Sequence, residues 1–202
     1  SVINNNIFKN FLAGTITNNR TIKNNQSFDN YGTIENNLVM KNLVGTFNNY
    51  NIINNETNGV FTNNTILVNK EMNSSNLDGV SLTGIQGSIT NKGNFHHLQN
   101  TLTNEGLITN SIETAYINIS STLNNDTIST ITNNGILKIF KNINVMNSGN
   151  SVINNNKDIH NYGNITSRFL NNNTGSNFYN YKTLVMNSTL TNTGIFTNKK
   201  LN

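Results

Sequence analysis

Between Ile16 and Met40 an apolar residue returns every six positions, at Ile16, Ile22, Phe28, Ile34 and Met40, and Asn18, Asn24, Asn30 and Asn36 follow the first four by two. A period of six excludes one α-helix, because 3.6 residues per turn would carry successive apolar positions to different faces. It also excludes one long strand, which alternates every second residue and would hold Asn-Asn and Asn-Tyr-Gly turn formers in mid-ladder. What remains is a row of short strands, each closed by a corner. The unit reads apolar, any, Asn, with the apolar side chain and the Asn both pointing inward.

The unit recurs along most of the chain. Met40 leads to Asn42, and then come Phe47 with Asn49, Ile53 with Asn55, Phe61 with Asn63, Leu67 with Asn69 and Ile89 with Asn91. Phe95 has His97 in the Asn place; Leu102 with Asn104, Ile108 with Asn110, Leu123 with Asn125 and Ile131 with Asn133 follow, then Leu137. Ile153 with Asn155 and Ile159 with Asn161 resume the six-residue step, Ile165 has Ser167 in the Asn place, and Leu170 is followed by Asn172. Phe178 with Asn180, Leu184 with Met186 in the Asn place, Leu190 with Asn192 and Phe196 with Asn198 complete the series. At the start, Ile3 with Asn5 and Phe8 with Asn10 fit the unit. Two stretches do not, 70–88 and 111–121, and both read as irregular inserts in a single repeat domain spanning 1–202.

About a quarter of the residues are Asn. Such a composition alone would place the chain among polar disordered tracts, which cannot offset an ordering cost of roughly 1–2 kcal/mol per residue. Regular spacing of Ile, Leu, Val and Phe argues against that. The chain has no Cys and no Pro; the first excludes disulfides and thiolate metal sites, and the second suits a backbone whose N–H groups are nearly all used in ladders. The formal charge is +4 with the basic residues scattered, so no stripe for nucleic acid is expected. No apolar run reaches the length of a membrane span. The pattern is already running at Ser1 and still running at Asn202, as in a cut piece or a unit without end caps.

These features predict an all-β fold, a single parallel β-solenoid of about three short strands per coil and roughly nine or ten coils. Like residues would stack on like, with an inward Asn ladder between coils. Gly32, Gly93, Gly106, Gly135, Gly163 and Gly194 are expected to supply positive φ at the bends.

Units such as ITNNGI, LTNEGL, LTNTGI, DNYGTI and HNYGNI resemble the Asn/Gly-rich β-solenoid repeats of large surface adhesins of the filamentous-haemagglutinin and autotransporter-passenger type, and of similar viral surface fibres. The resemblance implies a right-handed coil and a structural or adhesive role, extracellular or on a cell or virion surface. The partners it implies are copies of the chain itself or the rest of a longer chain, with a glycan or host-surface receptor. Strict six-residue spacing also occurs in left-handed hexapeptide helices, but Arg20 and Gln26 stand where those prefer a small residue.

No catalytic, cofactor-binding or metal site is expected. Asp29, Glu35 and Glu56 come nearest to the paired carboxylates of a solenoid lyase or glycosidase, and read more simply as solvated corner charges. His96 and His97 face opposite ways if they lie on a strand, so His97 stands in for a ladder Asn, while His160 points outward. Tyr31, Tyr50 and Tyr162 each follow a motif Asn and project at corners, where they would meet a sugar or a neighbouring rod. Sequons such as Asn19, Asn25, Asn55, Asn63 and Asn118 are no more frequent than composition dictates. An ice-binding solenoid would need outward Thr aligned from coil to coil, and Thr17, Thr62, Thr90, Thr103, Thr132 and Thr191 are irregular in sequence.

Overall fold

The computed structural model describes residues 2–72, 76–77, 80–81, 85–126, 128–140 and 143–199. Among them there is no helix; short strands wind into a β-solenoid of nine coils, with Ile195–Asn198 opening a tenth. Each coil contributes one strand to each of three faces. The first face is a ten-stranded parallel sheet from Val2–Asn4 to Ile195–Asn198. The second runs from Phe8–Asn10 and the third from Thr15–Asn18, each strand pairing in parallel with its equivalent one coil on. In the last three coils the second and third faces are joined, because Asn144–Asn155, Asn164–Asn172 and Thr183–Asn192 run through the corner between them with a register shift.

Alternation along each four-residue strand sets the interior. In Thr33–Asn36, Ile34 and Asn36 are buried while Thr33 and Glu35 stay partly exposed, and the same pattern repeats in most coils. Three apolar side chains per coil fill a triangular core. The third face stacks Ile16, Ile34, Ile53, Ile89, Ile108, Ile131 and Ile153 in register, followed by Leu170 and Leu190. The second face starts with Phe8, Phe28 and Phe47 stacked at 4.8 and 4.5 Å, and continues with Leu67, Leu102 and Leu123. Each fully buried side chain contributes about 1.5–3 kcal/mol. Ile22, Phe61, Phe95, Leu137, Ile159, Ile165 and Phe178 are also buried, whereas Ile16, Leu184 and Phe196 are only partly covered and Leu190 is exposed.

Several expectations change. The first strand places Val2 and Asn4 inward, in register with Ile22 and Asn24; Ile3 and Asn5 face out. Between the second and third faces, the described residues of the 70–88 stretch form antiparallel pairs, Glu71–Met72 with Ile85–Gln86 and Asn76–Leu77 with Val80–Ser81. The 111–121 stretch is no insert: Tyr116–Ile119 is a first-face strand between Asn94–His97 and Ile136–Ile139, and only its preceding corner is long. The six glycines expected at positive φ do not have it. Left-handed backbone occurs at Gly45, Gly149, Gly175, Ala13 and Asn100. Gly32, Gly93, Gly106 and Gly135 are required by crowding instead, because a Cβ on each would lie 2.1–2.3 Å from a carbonyl oxygen of the neighbouring coil.

Candidate functional site: ladders inside, aromatic rows outside

The inward asparagines form three ladders. On the third face each Nδ2 donates to the next Oδ1 from Asn18 through Asn36, Asn55, Asn91, Asn110, Asn133, Asn155 and Asn172 to Asn192, at 2.6–2.9 Å. The second face runs from Asn10 through Asn30, Asn49, Asn69, Asn104 and Asn125 to Asn147. The second amide hydrogen goes to a backbone carbonyl: Asn55, for example, reaches Gly59 O and Asn94 O. Asn is thus the side chain with the donors and acceptor the position needs; a carboxylate could not donate.

Two ladders end inside the rod, and both endings are chemically closed. On the first face Asn4, Asn24, Asn42 and Asn63 lead to His97, whose Nδ1 lies 2.9 Å from Asn63 Nδ2 and whose Nε2 lies 3.1 Å from Thr122 O. The amide must donate and the carbonyl must accept, so the ring is neutral with its proton on Nε2. With that proton given to Thr122 O, the ring has no donor left for the ladder column, where the next two coils place Ile119 and Ile139. Asn161 restarts the row by accepting from Gly163 N and donating to Asn180, which donates to Asn198. On the second face Ser167 Oγ accepts from Asn147 and donates to Phe169 O, and the next coil has Met186. The isoleucines were not legible as ladder members, since a unit defined by its Asn skips them. Asn4 and Asn147 join the unit asparagines expected from sequence, Asn10 and Asn42 among them; Asn192 and Asn198, at the last described turns of their ladders, are exposed and accept.

Outward asparagines also bond between coils but point the other way. Asn25 donates back to Asn5, Asn37 to Asn19, Asn156 to Asn134 and Asn173 to Asn156. The acids are taken up by the same traffic: Asn48 donates to Asp29, Asn54 to Glu35 and Asn177 to Asp158, while Glu56 pairs with Lys92 at 3.0 Å. Asp29 lies on the second face and Glu35 on the third. Among the described residues no group of three or more His, Cys, Asp or Glu could hold a metal ion.

Aromatic residues line two corners. After the second-face Asn come Phe11, Tyr31, Tyr50 and Lys70 in successive coils; the Tyr31 and Tyr50 rings are parallel at 4.6 Å, with Lys70 Nζ 5.7 Å from Tyr50. Burial, then the nearby Tyr31 and Asp29, push the Tyr50 hydroxyl up to about 12. After the first-face ladder place come Phe140, Tyr162, Tyr181 and Lys199, again in successive coils, with Tyr162 and Tyr181 parallel at 4.5 Å. Beside them His160 and Tyr179 stack at 4.8 Å. Because these rings cover one another, they turn edges and hydroxyls outward instead of flat faces. The structure also brings Thr17, Thr90, Thr109, Thr132 and Thr191 into one outward column of the third face, while Thr62 and Thr103 lie on the other two. Glu35 interrupts that column, and Ile52, Leu107, Val152 and Phe169 interrupt the one beside it.

No family model matches the chain, and no curated protein or solved structure is significantly similar to it.

Proposed function

We propose that the chain is a length of stiff, non-enzymatic rod that works outside the cell or on a virion surface as part of a fibre. In this reading it is a stalk or filament segment whose axial neighbour is a copy of itself or the rest of a longer chain, with a receptor glycan met from the side. The observation that carries it is the third-face ladder, continuous from Asn18 to Asn192. Interior side chains are committed to holding coil on coil, which suits a spacer and leaves function to outward rows and to the antiparallel pair of Glu71–Met72 with Ile85–Gln86. Acids that each take an amide or ammonium partner suit a surface without paired catalytic carboxylates.

Negative-stain microscopy of the purified chain tests the reading. Straight rods of about 43 Å per copy, nine coils at the ~4.8 Å strand spacing, singly or joined end to end, are the expected result. Compact or shapeless particles would reject it.

A further inference from the structure

The two aromatic corners have the same order of side chains and different electrostatic surroundings. Seven of the thirteen basic residues lie beyond position 135, against one of the nine acids, Asp158. In that basic third, Lys138 Nζ sits 4.7 Å from the Phe140 ring centre and 5.5 Å from that of Tyr162, and Lys199 Nζ lies 5.9 Å from Tyr179. At the other corner Lys70 is followed in its row by Glu105, and both Asp29 and Glu105 act on Tyr50.

We propose that the corner carrying Lys138, Tyr162, Tyr181 and Lys199 binds an acidic polysaccharide laid along the rod, its carboxylate or sulfate groups meeting the lysines. The inference rests on the adhesive part of the reading above. Ring edges carry the positive end of the aromatic quadrupole, and phenols add donors, so stacked tyrosines presented edge-on favour acceptor-rich anions. A neutral sugar would instead stack on an open ring face, and these faces are largely occupied. Ammonium groups resting on rings have already lost part of their rotamer freedom, which lowers the ordering cost of binding. Lys138 and Lys199 lie three coils apart, about 14 Å along the axis at the strand spacing, on two adjacent outward rows: Lys138 in that of His160 and Tyr179, Lys199 in that of Phe140, Tyr162 and Tyr181. That suits charges spaced along an extended sugar chain. Nucleic acid, with a phosphate at every nucleotide, draws its affinity from many cations at once, and this corner presents few.

The test uses the full chain and biolayer interferometry against heparin and polyguluronate, with dextran as the neutral polymer and single-stranded DNA as the rival polyanion. The chain should bind both acidic polysaccharides, less tightly as salt rises, and should not bind dextran. Lys138→Gln with Lys199→Gln should weaken binding by about tenfold or more, Lys138→Arg with Lys199→Arg should restore it, and Lys70→Gln should leave it unchanged. Any one of the following overturns the proposal: undiminished binding by the double glutamine variant, equal binding to dextran, tighter binding to DNA, or no polysaccharide binding at all. Microscopy on the same samples separates the two ideas, since rods without binding reject this inference alone, and absence of rods in the unmodified chain rejects the fibre reading.

Discussion

Asn63 donates its side-chain amide to His97 Nδ1 over 2.9 Å, and the carboxamide row that starts at Asn4 stops there. Imidazole accepts from one side and donates to a backbone carbonyl on the other, so the coil above can carry Ile119 without leaving a polar group unpaired. Ser167 does the same beneath Met186. An unpaired buried donor costs about 1–3 kcal/mol, which explains why the ladders end on side chains of this kind.

The His97 junction makes stability depend on acid. Burial holds His97 down to about 4, against 6.5 for a free imidazole. Below pH 6.5 the unfolded chain takes up a proton that the folded chain refuses, so stability falls as pH drops from about 6.5 to about 4, by up to about 3 kcal/mol from this residue. His96 and His160, also lowered by burial, act in the same direction. Urea melts across this window should show the loss. His97→Asn should reduce it, at a cost of about 1–3 kcal/mol at pH 7, because Asn keeps the acceptor for Asn63 and a donor for Thr122 O but leaves its second amide hydrogen against Ile119.

The ladder should matter far more inside than out. Asn91 accepts from Asn55 and donates to Asn110, Gly93 O and Tyr116 O. Asn91→Leu is expected to cost about 2–4 kcal/mol in chemical denaturation. Asn156→Ala, which removes exposed bonds to Asn134 and from Asn173, should cost less than about 1 kcal/mol.

Much of this was legible in the run from Ile16 to Met40, where six-residue spacing leaves one arrangement of strands and corners. Ile3 and Asn5 were misread because VINNN offers two registers, and only pairing with Ile22 and Asn24 selects Val2 and Asn4. Ile119 and Ile139 were hidden because they obey the strand alternation but not the side-chain chemistry of the unit. Tyr31, Tyr50 and Tyr162 were legible as corner residues, but Phe140 and Tyr181 were not seen in line with Tyr162, since corners of differing length separate the three by unequal steps. Only the coil brings them into line.

Glycine at the corners should divide into two kinds. Gly93→Ala would place its Cβ 2.2 Å from Gly59 O at ordinary φ, so backbone must shift, at an expected cost of about 1–3 kcal/mol. Gly175 has open space around it and φ of +81°, so Ala there should cost about 1 kcal/mol from conformation alone. Thermal melts of both variants, together with the d-alanine form of each made by ligation, separate the causes. A d-residue should rescue position 175 and not position 93.

The Tyr31 and Tyr50 stack should resist base. With Tyr50 pushed up to about 12, the unfolded chain gives up that proton first, near 10, so this residue's contribution to stability declines as pH rises from about 10 to 12. Absorbance near 295 nm should show delayed ionisation that Tyr31→Phe brings earlier, since Tyr31 is one of the groups holding Tyr50 up.

The account stands most directly on where the carboxamides point, and hydrogen exchange of Asn side-chain amides by NMR reads that without a mutation. Amides of Asn36, Asn55, Asn91, Asn110, Asn133 and Asn155, buried and bonded from coil to coil, should persist in deuterated buffer long after those of exposed asparagines such as Asn5 and Asn156 have gone. Uniform loss of every Asn side-chain amide at the solvent rate would contradict the ladder and the rod built on it.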